Sequence, residues 1–209
     1  MLLVETSTVP VAALPITAFK DHLRLGTGFA DDGVQDAVLE AGLRAALALI
    51  EARTGKAILQ RGFELRLSRW RSAEAQLLPV GPVANVSAVQ MEDAAGATTV
   101  VDAALYRFER VAHGAWLMAT GTRLPTIASQ SQVVIAFDAG YGASWSDVPA
   151  DIAQAAFMLA AWNYEHRHGD TAGTGQMPGA VAALIERHRN LRIGADPGPG
   201  GGLGGGFGT

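Results

Sequence analysis

The densest group of residues able to do chemistry is Glu165-His166-Arg167-His168. Glu165 and His168 are three apart, a spacing that puts a carboxylate and an imidazole on one helix face, as in di-iron bundles. Such centres take a second motif of the same kind and further glutamates from facing helices. The next helical segment supplies only Glu186 and His188, two apart and therefore on different faces. A metal-dependent enzyme using Glu165, His166 and His168 is thus the alternative reading. The leading one is that His and Arg near a helix C-terminus complement its dipole. Serine chemistry lacks its frame as well: Ser129, Ser144 and Ser146 are present, but Gly142-Ala-Ser-Trp-Ser146 has no closing glycine of a nucleophile elbow. The terminal glycines are neither preceded by a strand nor followed by a helix, and no Gly-Lys-Ser or Gly-Lys-Thr occurs, which excludes a phosphate loop. A chain of 209 residues without cysteine has no thiolate zinc site, disulfide or cysteine nucleophile. No catalytic residue, metal or cofactor is expected.

Sixteen basic against twenty acidic side chains give a net charge of −4, so no cationic stripe is implied for broad nucleic-acid binding. Arginine outnumbers lysine fourteen to two, a bias that suits desolvated subunit contacts. Arg61, Arg66, Arg69 and Arg71 follow one strand, and Arg187, Arg189 and Arg192 close the last helix; both groups read first as solvated polar faces. The N-terminal run carries Glu5 where a signal peptide would be positive. The longest helical apolar face, Ala41 to Ala52, is broken by Arg44 and Glu51 and falls short of the ~20 residues of a membrane span. Neither export nor membrane insertion is expected, which leaves the cytoplasm or a particle built there.

The elements follow from periodicity. Residues 1–16 read as an extended segment with Pro10 and Pro15, and Thr17 can cap a short helix over 17–25. A helix over 32–54 has Asp32 and Gln35 at capping-box spacing and Gly55 as its left-handed stop. Leu39, Leu43, Ala46, Leu47 and Ile50 form one stripe on it; Val34, Val38, Ala41 and Ala45 form another beside it. Two apolar stripes imply packing on two sides, the second against the same chain or a neighbouring subunit. Two-residue alternation then marks strands at Phe63–Ser68, Val86–Met91, Thr98–Val101, Leu105–Phe108, Ala115–Met118 and Gln132–Phe137. Asp93 to Gly96 and His113-Gly114 suit hairpin turns. Pro149 and Pro178 open helices over 149–167 and 178–191. The expected fold class is α+β: a mainly helical body of four helices, a small antiparallel β unit inserted over 62–138, and a flexible glycine-rich tail over 193–209. Nine of the last sixteen residues are glycine, yet the tail carries Leu203 and Phe207, four apart, as anchors for a partner.

Four runs occur in a recognisable order: Leu14-Pro-Ile-Thr-Ala-Phe-Lys-Asp-His-Leu-Arg24, an acidic-capped helix ending Ile50-Glu-Ala-Arg-Thr-Gly55, Phe137-Asp-Ala-Gly-Tyr-Gly142, and Val148-Pro-Ala-Asp-Ile152. Together, over about residues 14–192, they resemble the head–tail connector (adaptor) proteins of tailed phages, with relatives in gene transfer agents. The resemblance implies a structural subunit of a dodecameric ring under the portal of a phage or phage-like particle. Such a ring extends the DNA channel, lets DNA pass without sequence-specific binding, and docks a stopper or other neck or tail protein. It makes residues 17–192 the connector domain and Leu191–Thr209 a portal-binding arm contacting through Leu191, Arg192, Ile193, Leu203 and Phe207. Val34, Val38, Ala41 and Ala45 would pack against the neighbouring copy. It supplies no catalytic residue. A different neck protein, a stopper or tail-completion subunit, is the further alternative; these are shorter and mainly β, which the four helices oppose.

Overall fold

The computed structural model describes residues 1–25, 33, 35–111, 114–166 and 177–189. Its strands are β1 (Leu2–Glu5), β2 (Arg61–Leu67), β3 (Ala75–Leu78), β4 (Val83–Glu92), β5 (Thr98–Val100), β6 (Tyr106–Val111), β7 (Gly114–Ala119) and β8 (Gln132–Ala139). Its α-helices are α1 (Ile16–His22), α2 (Asp36–Thr54), α3 (Ala150–Glu165) and α4 (Gly179–Ile185), the last continued by a 3-10 turn over Glu186–His188. No helix among the described residues is long and apolar enough to cross a membrane.

Helix α2 forms where its long apolar stripe and its stop signal agree. Leu39, Leu43, Ala46, Leu47 and Ile50 are all buried. Gly55 takes φ +68° and its N–H bonds back to the Glu51 carbonyl, while Thr54 Oγ1 donates to the Ile50 carbonyl. The start differs from expectation: Gln35 is the N-cap, with Asp32 outside the described residues. Pro15, not Thr17, precedes α1. Helix α3 lays Ile152, Ala155, Ala156, Leu159 and Ala160 against α2, and the alanines let the two helices approach closely. Phe157 stacks on Phe19 and Trp145 at centroid distances of 5.6 and 5.5 Å, bringing α1 into the same core.

The β region corrects the expected fold class. It is not a small insert in a mainly helical body: among the described residues, eight strands make two antiparallel sheets, ordered β1-β2-β8-β4-β5 and β3-β7-β6, and hold about as many residues as the four α-helices. The sheets face each other over a core of their own, separate from the helical one. Register explains that core. Phe63, Leu65 and Leu67 pair with Phe137, Ile135 and Val133, so the inward side chains of β2 and β8 form matched rows. Ala115 and Leu117 of β7, with Leu78 of β3, close it from the other sheet. Two strands escape sequence reading. The four residues of β1 are all exposed, so no alternation betrays them, yet they pair from Leu2↔Arg66 to Glu5↔Phe63. Strand β3 is only four residues and stops before Pro79, at the edge of its sheet, where a proline is tolerated. The hairpin at Asp93 is as expected: its carboxylate accepts from the Ala95 and Ala97 amides, and Gly96 supplies φ +82°.

Candidate functional site

The segment Ala139-Gly-Tyr-Gly142 runs along the seam between the two cores. The Gly140 N–H bonds to the Pro82 carbonyl, the Tyr141 N–H to the Ile58 carbonyl, and the Gly142 carbonyl accepts from the Gln60 N–H. Gly140 sits at φ +143° with the Gln60 backbone where a Cβ would be, and a Cβ on Gly142 would overlap Asp147. Both glycines are therefore required by close approach. Between them, Tyr141 is turned toward the 3-10 turn that follows α4.

Its hydroxyl lies 3.3 Å from His188 Nδ1, and the other ring nitrogen, Nε2, lies 2.7 Å from Asp151 Oδ2. Asp151 occupies the first turn of α3, where a carboxylate complements the helix dipole. Its Oδ1 accepts from the Ile152 N–H, and Oδ2 also meets Arg187 Nε at 2.7 Å. Nε2 also faces Arg187 Nε at 3.2 Å, and Nδ1 faces a phenol hydroxyl that can donate or accept. Burial, and then the Asp151 charge, push the Tyr141 phenol above its ordinary value against the opposing effect of Arg187. The phenol thus stays protonated and is not an activated nucleophile.

Burial alone would raise the Asp151 carboxyl, but the hydrogen bond and charge of His188, the Ile152 amide and Arg187 outweigh it and hold it below the usual range. A depressed folded-state value adds stability above the unfolded value, lost as pH falls through the folded one. Replacing Asp151 by Asn is therefore expected to destabilise the protein at pH 7. The gap to the parent in urea unfolding should close on acidification below about pH 4, the ordinary carboxylate range.

A second polar cluster ties the sheet to α2. Arg61 of β2 forks onto both Glu51 oxygens at 2.9 and 2.7 Å, and Glu51 Oε1 also accepts from the Ile58 N–H. Arg61 Nε lies 2.9 Å from Glu5 Oε1, an ion pair without hydrogen-bond geometry. The Arg61 side chain is 10% exposed, so it does not belong to a solvated face. Arg66 pairs with Glu64 and Glu92; Arg69 and Arg71 lie beyond β2 on the exposed surface.

The other sequence candidates fall as follows. Glu165 and His166 are exposed at the end of α3, where His166 stacks on Trp162 at 3.8 Å; His168 lies outside the described residues. Glu186 is paired with Arg189, and His188 faces the opposite way, into Asp151. Ser144 and Ser146 bond each other at 2.9 Å. Val38, 52% exposed, and the exposed Ala41 and Ala45 line the outer face of α2, with Leu49 continuing it. Val34, Leu191, Arg192, Ile193, Leu203 and Phe207 lie outside the described residues. The Tyr141–His188–Asp151 contact is not legible as a site, because His188 is 47 and 37 residues from its two partners and only the fold joins them.

No protein-family model matches the chain, and no curated protein sequence does either. Solved structures do. A chain from the neck of an empty gene transfer agent particle, computed with C6 symmetry, is 51% identical, with a TM-score of 0.86, covering 94% of this chain and all of the other. A chain from the virion of a native gene transfer agent particle is 49% identical with a TM-score of 0.83 and the same coverage. One from the neck of a native particle, computed with C12 symmetry, is 46% identical with a TM-score of 0.81, again over 94% and 100%. Identity near one half, sustained over almost the whole length, is accompanied by the same fold. The chain belongs to the head–tail connector family, in the branch found in gene transfer agent particles.

Proposed function

We propose that the protein is a structural, non-enzymatic adaptor in the neck of a phage-like particle. Copies of it form a ring that joins the portal to the next neck or tail component and lets DNA pass through its centre. The observation that carries this reading is the near-complete match to neck chains of gene transfer agent particles, two of them from reconstructions with sixfold and twelvefold symmetry. A ring subunit needs two complementary lateral surfaces, since such contacts close by rotation. The exposed outer stripe of α2, with Val38, Ala41 and Ala45, offers one of them, and small side chains there allow close approach. Leu191–Thr209 is read as the portal-binding arm, with Leu191, Arg192, Ile193, Leu203 and Phe207 as its contacts. A polar cluster committed to holding the turn after α4, with its phenol kept neutral, supports a structural rather than a catalytic role.

Deleting residues 194–209 tests the reading. The truncated protein is expected to fold and to fail in attachment: purified portal rings should retain roughly tenfold less of it, since many weak arms act by avidity. Particle preparations should contain filled heads without tails. Unchanged retention by portal rings would remove the arm from the mechanism. A loss confined to the tail side, with portal attachment intact, would favour a stopper or tail-completion role, a reading that the eight-stranded β region keeps open.

A further inference from the structure

We propose that Tyr141 and Asp151 form a fixed socket for His188, and that His188, seated in it, sets where the C-terminal arm leaves the body and so positions the arm for docking. The inference rests on the reading of Leu191–Thr209 as the portal-binding arm. His188 is three residues before Leu191, and its side chain is 12% exposed.

Helix α4 has seven residues and buries only Val181 and Ile185, too little to be rigid by itself. In the turn that follows, Arg189 is occupied within the turn, with Nη1 on both Glu186 oxygens at 2.9 and 3.0 Å. Arg187 reaches Asp151 but is 73% exposed, and an exposed pair contributes little. The seated imidazole is thus the principal polar tie from this turn to the body among the described residues. Its partners are well held: Tyr141 by the two close-packed glycines, Asp151 by the start of α3.

The seat is also selective. It asks for two polar atoms spaced across a single flat ring, one toward the Asp151 carboxylate and Arg187 Nε, the other toward the phenol hydroxyl. The two nitrogens of an imidazole fill both positions, whereas lysine and arginine bring a cationic head that only donates. Loosening this contact would spread the arm root over a larger volume and lower its effective concentration at the portal. Because a ring presents many arms to one partner, that loss compounds.

The test uses the full chain and purified portal rings. His188→Ala is expected to leave the main unfolding transition in place, speed hydrogen exchange of the amides in 179–189, and cut portal attachment roughly tenfold. Tyr141→Phe, which removes only the hydroxyl, should lower attachment by about threefold in the parent and not at all in the His188→Ala background, as coupling through one contact requires. His188→Gln, keeping one donor and one acceptor, should restore part of it. If His188→Ala is too unstable to purify, the Tyr141→Phe and His188→Gln results decide. Faster exchange with unchanged attachment overturns the proposal, and so does unchanged exchange. If deletion of 194–209 weakens attachment but these variants do not, the socket fails and the arm survives; if the deletion has no effect, the arm reading itself falls.

Discussion

Replacing Gly140 by alanine is expected to destabilise the protein by about 3–5 kcal/mol, among the largest effects of any single methyl group in the chain. Two costs add. The backbone at φ +143° lies in a region that residues with a Cβ rarely adopt, and the added carbon would meet the Gln60 backbone, which cannot rotate away as a side chain could. Relief would require parting the 58–60 segment from the 140–142 segment, breaking the Tyr141–Ile58 and Gln60–Gly142 hydrogen bonds. Those bonds lie on the seam of the two cores, so the strain should lower the stability of both. Gly42 provides the contrast. It lies inside α2 with nothing within 4 Å of the position of a Cβ, and Gly42→Ala should stabilise by about 0.5–1 kcal/mol through helix propensity. Urea unfolding of the two variants beside the parent measures both. A loss below about 1 kcal/mol at Gly140 would show that the seam is softer than its geometry implies.

The same glycine shows where sequence reading succeeds and where it stops. Helix α2 announces itself because burial on one stripe and a left-handed stop coincide, and Leu43 and Gly55 sit where the pattern puts them. Strands β2 and β8 are equally plain, since each has one face in a core and one facing out. Strand β1 is invisible for the converse reason: an edge strand exposed on both faces has no period to read. Missing β1 and β3 is what makes the β region look like an insert when it is half of the fold. The Ala139–Gly142 run could be recognised as text, but its purpose could not. That purpose depends on Gln60, Asp147 and His188, which are brought to it only by tertiary packing. The outer stripe of α2 was visible as a second apolar face; the fold leaves Val38, Ala41 and Ala45 of it uncovered.

Glu51→Ala is expected to cost about 3–5 kcal/mol, the range for removing one partner of a buried charge pair. Burial alone would lower the Arg61 guanidinium, but the hydrogen bonds and charge of Glu51, then the nearby Glu5 carboxylate, outweigh it and raise it further above its usual value. With the Glu51 carboxylate gone, Arg61 keeps its charge in a site that is 10% exposed, and the Ile58 N–H loses its acceptor. Glu5 cannot take over. It meets Arg61 only through Nε, without hydrogen-bond geometry, and is itself 40% exposed, so Glu5→Ala should cost no more than about 1 kcal/mol. Replacing both Arg61 and Glu51 by Met should recover most of the loss, because no unpaired charge remains; the Ile58 N–H then accounts for a residue of about 1–3 kcal/mol. A double-mutant cycle in urea separates these contributions. Equal losses from Glu5→Ala and Glu51→Ala would mean that the pair is solvated and that α2 is held in place only by its apolar packing against the other helices and the Ile58–Leu59 segment. The outcome bears on assembly, because this ion pair is the polar tie that orients α2, and with it the exposed face of Val38, Ala41 and Ala45, on the five-stranded sheet. A variant that keeps both cores but loses this tie should close rings less well than its stability predicts.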